Sequence, residues 1–299
     1  MVVLGDSVPW GQGLGEQQKY QFIVENELAA RYPDISKVAL AHSGAVIGAG
    51  LDRAAAAIHG EVPAPHPTML EQCEGYTHKP DSVRLVLVNG GINDIDIRVI
   101  LNPLISPVFL HANIKLVCLD DMLVLLRALS ARFSHPDCRI LLTGYYPVLS
   151  PRSHVPWIPG LLDYYGIACP SFLDAGAVIG EVVRHSMQFW KESTDCLEIA
   201  VAECNRLVGG PPRVFFVNPP FTEDNAVFAP NPWLYGLNPD FSPEDPIAAE
   251  RHAACDLHIK PVDFLGREGC YRASAGHPNA IGSLAYAKAI LACLESIGV

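Results

Sequence analysis

Ser7 and His277 are the two residues whose types and settings fit nucleophilic catalysis. Ser7 ends a Gly5-Asp6-Ser7 triplet that follows only Met1-Val-Val-Leu4. That apolar run reads as a short buried strand, so the serine falls at a strand's carboxyl end, where sites assemble in open α/β folds. A serine hydroxyl is a poor nucleophile until a base takes its proton. Among eleven histidines, His277 has the setting for that base, between Ala275-Gly276 and Pro278-Asn279, just before the final helix. Asn279 suits the N-cap of that helix, and Pro278 stiffens the entry, so rigid backbone would hold the imidazole. Together the two residues would split an acyl transfer into two covalent steps.

Other chemistries are disfavoured by spacing. The histidines form no H-E-x-x-H and no paired metal-type arrangement, so no metal is expected. Gly11-Gln-Gly13-Leu-Gly15 lacks the full G-x-G-x-x-G spacing, and no acidic residue ends the next strand near Ala41. No nucleotide or other cofactor is therefore expected. Asp6 is read as bonding nearby backbone N–H groups across the sharp turn it occupies.

The elements that must position these residues alternate along the chain. Strands are expected at Val2–Leu4, Lys37–Ala41, Val83–Val88, Arg139–Thr143 and Arg213–Val217, each short, apolar and rich in β-branched residues. Between them lie helical patterns at Glu16–Arg31, Leu51–His59, Ala112–Phe133 and from about Asp174 to Val208, with a last one from Asn279 to Ile297. This alternation predicts a doubly wound parallel sheet with right-handed crossovers. Two stretches depart from it, near 145–170 and 218–264, both rich in proline and aromatic residues. Long loops in compact domains are usually functional or disordered, and these are too aromatic for disorder. They read as a lid or substrate wall, or equally as Pro-braced surface loops.

Two further features lie between Ser7 and His277 in chain order: Gly44 in His42-Ser43-Gly44-Ala45 and Asn93 in Gly91-Ile92-Asn93-Asp94. With Gly5-Asp6-Ser7 and Gly276-His277, these blocks resemble the GDSL or SGNH hydrolases, a family named for its Ser, Gly, Asn and His. The match spans nearly the whole chain. The resemblance implies a three-layer α/β/α sandwich with a five-stranded parallel sheet, flavodoxin-like, in one domain covering residues 1–299. It also implies a serine ester hydrolase with an oxyanion hole built from the Ser7 and Gly44 backbone N–H groups and the Asn93 amide. The residue types suit that role: glycine admits close approach of backbone to a ligand, and an uncharged amide donates freely. Such donors contribute roughly 3–4 kcal/mol each.

One position departs from the family pattern. An aspartate is common three residues before the histidine, and here that residue is Ser274. The acid normally fixes the imidazole tautomer. The Ser274 backbone carbonyl is the favoured substitute, with Asp263, Glu268 and Asp256 as carboxylates able to fold in from the preceding loop. A dyad without an acid predicts activity falling below a histidine pKa of about 6.5. The same resemblance leaves open an acyltransferase, or a degenerate non-catalytic binding module that lost its acid.

Composition bounds the rest. Apolar residues make up 49% and charged residues 18% of 299, ample for a core and inconsistent with disorder. A net charge of −11 without a basic cluster disfavours nucleic acid and anionic membranes as partners. No run approaches the roughly 18 apolar residues of a transmembrane helix. The expected partner is a small-molecule ester, its acyl or aryl group apolar because the long loops are aromatic. No charged n-region and apolar h-region precede Gly5, so a cytoplasmic protein or a processed secreted form is expected. Nine scattered cysteines form no C-x-x-C metal pair. Cys118, Cys196, Cys204 and Cys293 sit in helical patterns as core thiols, and Cys255 and Cys270 are placed for a bridge.

Overall fold

A computed structural model of the chain describes residues 1–48, 59–167, 174–240 and 242–299. Five parallel strands form one sheet: β1 (Val2–Gly5), β2 (Val38–Ala39), β3 (Leu85–Asn89), β4 (Arg139–Thr143) and β5 (Val214–Val217). Their order is β2-β1-β3-β4-β5, with the chain reversing its direction of travel between β1 and β3. This is the flavodoxin-like arrangement, whose ligands bind outside the carboxyl ends of the strands at that reversal. In register, Gly5 lies opposite Asn89 and Thr143 opposite Val217, so four strands end at one edge.

The strands form because their side chains can be buried on both faces. Val2, Val3, Leu4, Val86, Leu87, Val88, Ile140, Leu141 and Leu142 are fully buried, and each such side chain stabilises the fold by about 1.5–3 kcal/mol. Helices Tyr20–Ala29 and Ala280–Ser296 pack together on one face. On the other, the long helix Ala175–Val208 packs against Pro107–Lys115, Met122–Arg132 and β5. The result is a three-layer α/β/α sandwich. Among the described residues, no helix is long and apolar enough to cross a membrane.

Boundaries moved where edges or caps decide them. The expected second strand shrinks to two residues because it lies at the sheet edge, although Leu40 and His42 still donate to the Val3 and Gly5 carbonyls. The helix expected from Ala112 starts at Pro107, with Ser106 as N-cap, and passes through a π-helical turn at Leu116–Asp121. The Pro-rich stretches are partly helical, at Ile158–Tyr164 and Ala248–His258. The helix expected at Leu51–His59 and the end of the 145–170 stretch lie outside the described residues, His59 and 145–167 excepted.

Cys255 and Cys270 form a disulfide between helix Ala248–His258 and helix Phe264–Tyr271, with Cα atoms 6.0 Å apart. Cys118 and Cys204 are buried thiols, whereas Cys196 and Cys293 are only partly buried.

Candidate active site

Ser7 opens a single helical turn, Ser7–Trp10, immediately after β1. Asp6 caps it, its Oδ1 accepting the Val8 N–H at 2.8 Å. Gly5 makes the sharp exit from the strand at φ +130°, and a Cβ there would fall 2.1 Å from the Asn89 carbonyl oxygen. Two residues without any motif signal complete this turn. Buried Gln72 grips Gly5 from both sides, accepting its N–H at 2.8 Å and donating to its carbonyl at 3.0 Å. Tyr145, just past β4, donates to Asp6 Oδ2 at 3.2 Å and accepts the Ile92 N–H at 2.9 Å. It thereby joins the serine turn to the Asn93 turn.

His277 stands across the sheet edge from this turn. Its Nε2 lies 2.7 Å from Ser7 Oγ, and its Nδ1 lies 3.3 Å from the Ser274 carbonyl oxygen. A proton on Nδ1 donated to that carbonyl leaves the Nε2 lone pair to accept from the serine hydroxyl. The loop is held by an antiparallel neighbour: Tyr235 N–H donates to the His277 carbonyl and Gly276 N–H to the Tyr235 carbonyl, both at 2.8 Å. Asn279 caps the final helix through the Ile281 and Gly282 N–H groups.

The three alternative carboxylates are engaged elsewhere. Asp263 caps helix Phe264–Tyr271 through Gly266 N–H at 2.9 Å. Glu268 pairs with Arg272, and Asp256 with Arg267 and the Tyr271 hydroxyl. Among the described residues, no carboxylate bonds to His277. The Ser274 Oγ is buried and without a hydrogen-bond partner among them, so that residue meets the imidazole through its backbone alone.

Gly44 and Asn93 approach from two other loops. Gly44 adopts φ +78°, and a Cβ on it would sit 2.5 Å from the Ala64 nitrogen, so any larger residue would push the neighbouring segment away. The Asn93 amide donates one hydrogen to the Ala45 carbonyl at 3.0 Å, leaving a second for another acceptor. Asp94 accepts the Ile47 N–H with both oxygens at 3.1 Å. The Asn93-Asp94 pair therefore pins the Gly44 loop. Among the described residues, neither the Ser7 nor the Gly44 N–H finds an acceptor within the protein.

Burial sets the protonation states. Desolvation, aided by the nearby Arg251 charge, pulls the His277 pKa from 6.5 down to about 4, against the pull of backbone acceptors led by Ser274. The residue as a whole is only partly buried, so solvent screens part of this depression. Burial likewise pushes Asp6 up to about 7 and Asp94 up to about 6, despite the backbone N–H donors at each.

No protein-family model and no curated protein matches the sequence. Among solved structures, similar chains include a lipase from a goat rumen metagenome, 12% identical, covering 97% of this chain and 95% of its own, at a TM-score of 0.45. A carbohydrate acetylesterase from Sinorhizobium meliloti is 12% identical over 99% and 98% of the two chains, at 0.43. A psychrotrophic esterase from Pseudoalteromonas sp., solved inhibited by monoethylphosphonate, is 13% identical over 99% and 96%, at 0.39. At these identities and scores the likenesses carry no functional weight.

Proposed function

We propose that this chain is a serine carboxyl-ester hydrolase of the GDSL or SGNH type. The observation that supports this most is the 2.7 Å approach of His277 Nε2 to Ser7 Oγ at the carboxyl edge of the sheet. In the first step, His277 Nε2 takes the Ser7 hydroxyl proton while Oγ forms a bond to the ester carbonyl carbon. The carbonyl π electrons move to oxygen, whose charge meets the N–H groups of Ser7, Gly44 and Asn93. The C–O bond to the alcohol then breaks, and the imidazolium returns its proton to the departing oxygen. Water, deprotonated by the same imidazole, repeats the sequence on the acyl-enzyme and releases the acid.

The Ser274 carbonyl orients the imidazole but stabilises its cation less than a carboxylate would. More of the rate enhancement then falls to the oxyanion donors. An apolar acyl or aryl group fits the aromatic stretch beside the histidine loop. Trp233 packs edge-on against Phe221 at 5.3 Å, and its carbonyl accepts the Asn279 N–H.

Fluorophosphonate labelling with peptide mapping tests the reading. Ser7 is expected to carry the label, and Ser7→Ala and His277→Ala should each lose roughly 10³-fold or more of p-nitrophenyl ester hydrolysis. A Ser7→Ala variant that keeps a tenth of the activity sinks the proposal.

A further inference from the structure

Behind the histidine loop lies a cluster of charges that the reaction above does not use. Arg251, on helix Ala248–His258, is fully buried. Its guanidinium lies 2.7 Å from Glu61 Oε2 and 2.6 Å from Asp245 Oδ2, and both carboxylates are buried too. Lys19 approaches the same cluster with its ammonium 3.7 Å over the Trp10 ring. Its own ion pair is with Glu16, whose side chain reaches solvent.

Each arm of the cluster ends on a different loop of the site. Glu61 accepts the Trp10 indole N–H at 2.7 Å and the Gly13 N–H at 3.4 Å, and its carbonyl accepts the Gln12 amide at 3.2 Å. Trp10 ends the serine turn and the other two donors follow it. The Glu61 segment also carries Gly60, whose carbonyl accepts the Ser43 N–H at 2.7 Å, and Ala64, which donates to the Ser43 carbonyl at 3.0 Å. Those two bonds bracket the approach to Gly44. On the remaining side, Glu244 next to Asp245 accepts the Gly236 N–H at 2.8 Å. Tyr235, one residue earlier, pairs with Gly276 and His277 and donates its hydroxyl to the Gly13 carbonyl at 3.1 Å. The Cys255–Cys270 disulfide, one helical turn beyond Arg251, ties the same helix to the segment that leads into Ser274.

We propose that Arg251, clamped between Glu61 and Asp245, is a positioning residue that holds the serine turn, the Gly44 loop and the histidine loop in register. This deepens the esterase reading and rests on it. A buried ion cluster contributes little net stability, because desolvating its charges costs about as much as their attraction returns. Its consequence is geometric: the planar guanidinium holds Asp245 by hydrogen bonds from Nε and Nη2 and keeps Glu61 beside Nη1 by charge. With no carboxylate on the imidazole, register between three loops depends on such a clamp. Displacing a reacting group by about 1 Å can cost on the order of a hundredfold in rate.

The charge also reaches the imidazole. The Ser7 hydroxyl and the Ser274 carbonyl touch the His277 ring, the Ala273 and Ala275 backbone lies beside it, and the Arg251 cation acts on it through space. Glu61, Asp245 and Lys19 surround Arg251 at the next remove, and the Asp6 carboxyl lies beside Ser7. Removing Arg251 therefore moves the pH dependence as well as the rate, which a purely structural role would not do.

The test compares the full-length wild type with Arg251→Lys and with the triple variant Glu61→Gln/Arg251→Met/Asp245→Asn. The triple variant is needed because Arg251→Met alone strands two buried carboxylates and can fail to fold. Folded fraction is read by near-ultraviolet circular dichroism, and kcat, KM and the acid limb of kcat/KM are read on a p-nitrophenyl ester. The folded triple variant should lose about tenfold to a hundredfold in kcat with KM little changed. Its acid limb should leave the wild-type position, because the charges around the imidazole have changed. Arg251→Lys, which keeps the charge but not the fork, should keep the wild-type limb and recover part of kcat. A folded triple variant with wild-type kcat and an unmoved limb overturns the inference, as does a loss of rate that only tracks the unfolded fraction. A wild type that neither labels at Ser7 nor hydrolyses esters overturns the esterase reading itself, a different and recognisable result.

Discussion

Acidification probes the surroundings of His277 more directly than any substitution. Only the neutral imidazole can accept the Ser7 proton, so kcat/KM follows the deprotonated fraction of the free enzyme. Burial and the Arg251 charge hold the folded pKa below the 6.5 of an ordinary histidine and toward about 4. A depressed base stays competent as pH falls and is lost only on passing through its folded pKa. At pH 5.5 a pKa of 4 leaves about 97% of the imidazole neutral, whereas a pKa of 6.5 leaves about 9%, roughly a tenfold difference in rate. A carboxylate partner would act in the opposite sense, raising the pKa and moving the loss to higher pH.

The measurement is kcat/KM on a short-chain p-nitrophenyl ester from pH 4 to 8, in a stopped assay quenched to alkaline pH so that the phenolate is read. At least half of the plateau value should survive at pH 5.5. Less than a fifth remaining, with the protein still folded, would show that the imidazole is solvated or paired with an acid. Either result would refute the reasoning from burial, and the sequence-based expectation of a limb near 6.5 would stand.

Asn93→Ala should lower kcat by roughly 10²–10³-fold with little change in KM, since an oxyanion donor acts in the transition state; unchanged kcat with raised KM would assign it to substrate binding. Ser274→Ala should keep most activity because its carbonyl survives, and Asp263→Asn and Glu268→Gln should matter little, whereas a several-hundred-fold loss in either carboxylate variant would reveal an acid that moves onto His277. Asp6→Asn tests the buried carboxyl, whose folded pKa is raised to about 7: stability tied to its neutral form is complete below pH 4 and lost as pH rises through 7. Thermal melts should therefore show wild type losing ground to Asp6→Asn between about pH 4 and 7, and parallel melting curves would contradict the burial of that acid.

The residues placed together at the sheet edge were legible because each sits in a local pattern that a strand end or helix start imposes. Gly5-Asp6-Ser7 follows a four-residue apolar run, and His277 precedes a Pro-Asn helix start. Gln72, Tyr145 and Arg251 had no such signal. Gln72 meets Gly5 across 67 positions of chain and Tyr145 meets Asp6 across 139, so only the fold makes them neighbours. The helix Ala248–His258 is legible in Ala248-Ala-Glu-Arg-His-Ala-Ala, which carries good helix formers, although the prolines on either side favour a loop. The second strand is shorter than its apolar run, because such a run does not show whether it lies at a sheet edge.

The departure at Ser274 changes how the charges of the site must be understood. A triad stabilises the imidazolium with a carboxylate, but here His277 faces a carbonyl oxygen on one side and feels the Arg251 cation. Both conditions disfavour the charged base. Asp6, the nearest buried acid to Ser7, is neutral below about pH 7 and spends its oxygens on Val8 and Tyr145. Among the described residues, no carboxylate bonds the imidazole to offset its protonated form in mildly acid solution. In the proposed reaction, what remains to lower the barrier is the placement of donors around the developing oxyanion, which costs nothing in reorganisation once the loops are fixed. That placement depends on backbone N–H groups from two turns and one amide from a third, none adjacent in sequence. Rigid linkage between those turns matters more in such a site than the strength of its base. The bonds that supply it run through Gln72, Tyr145 and the Glu61–Arg251–Asp245 cluster.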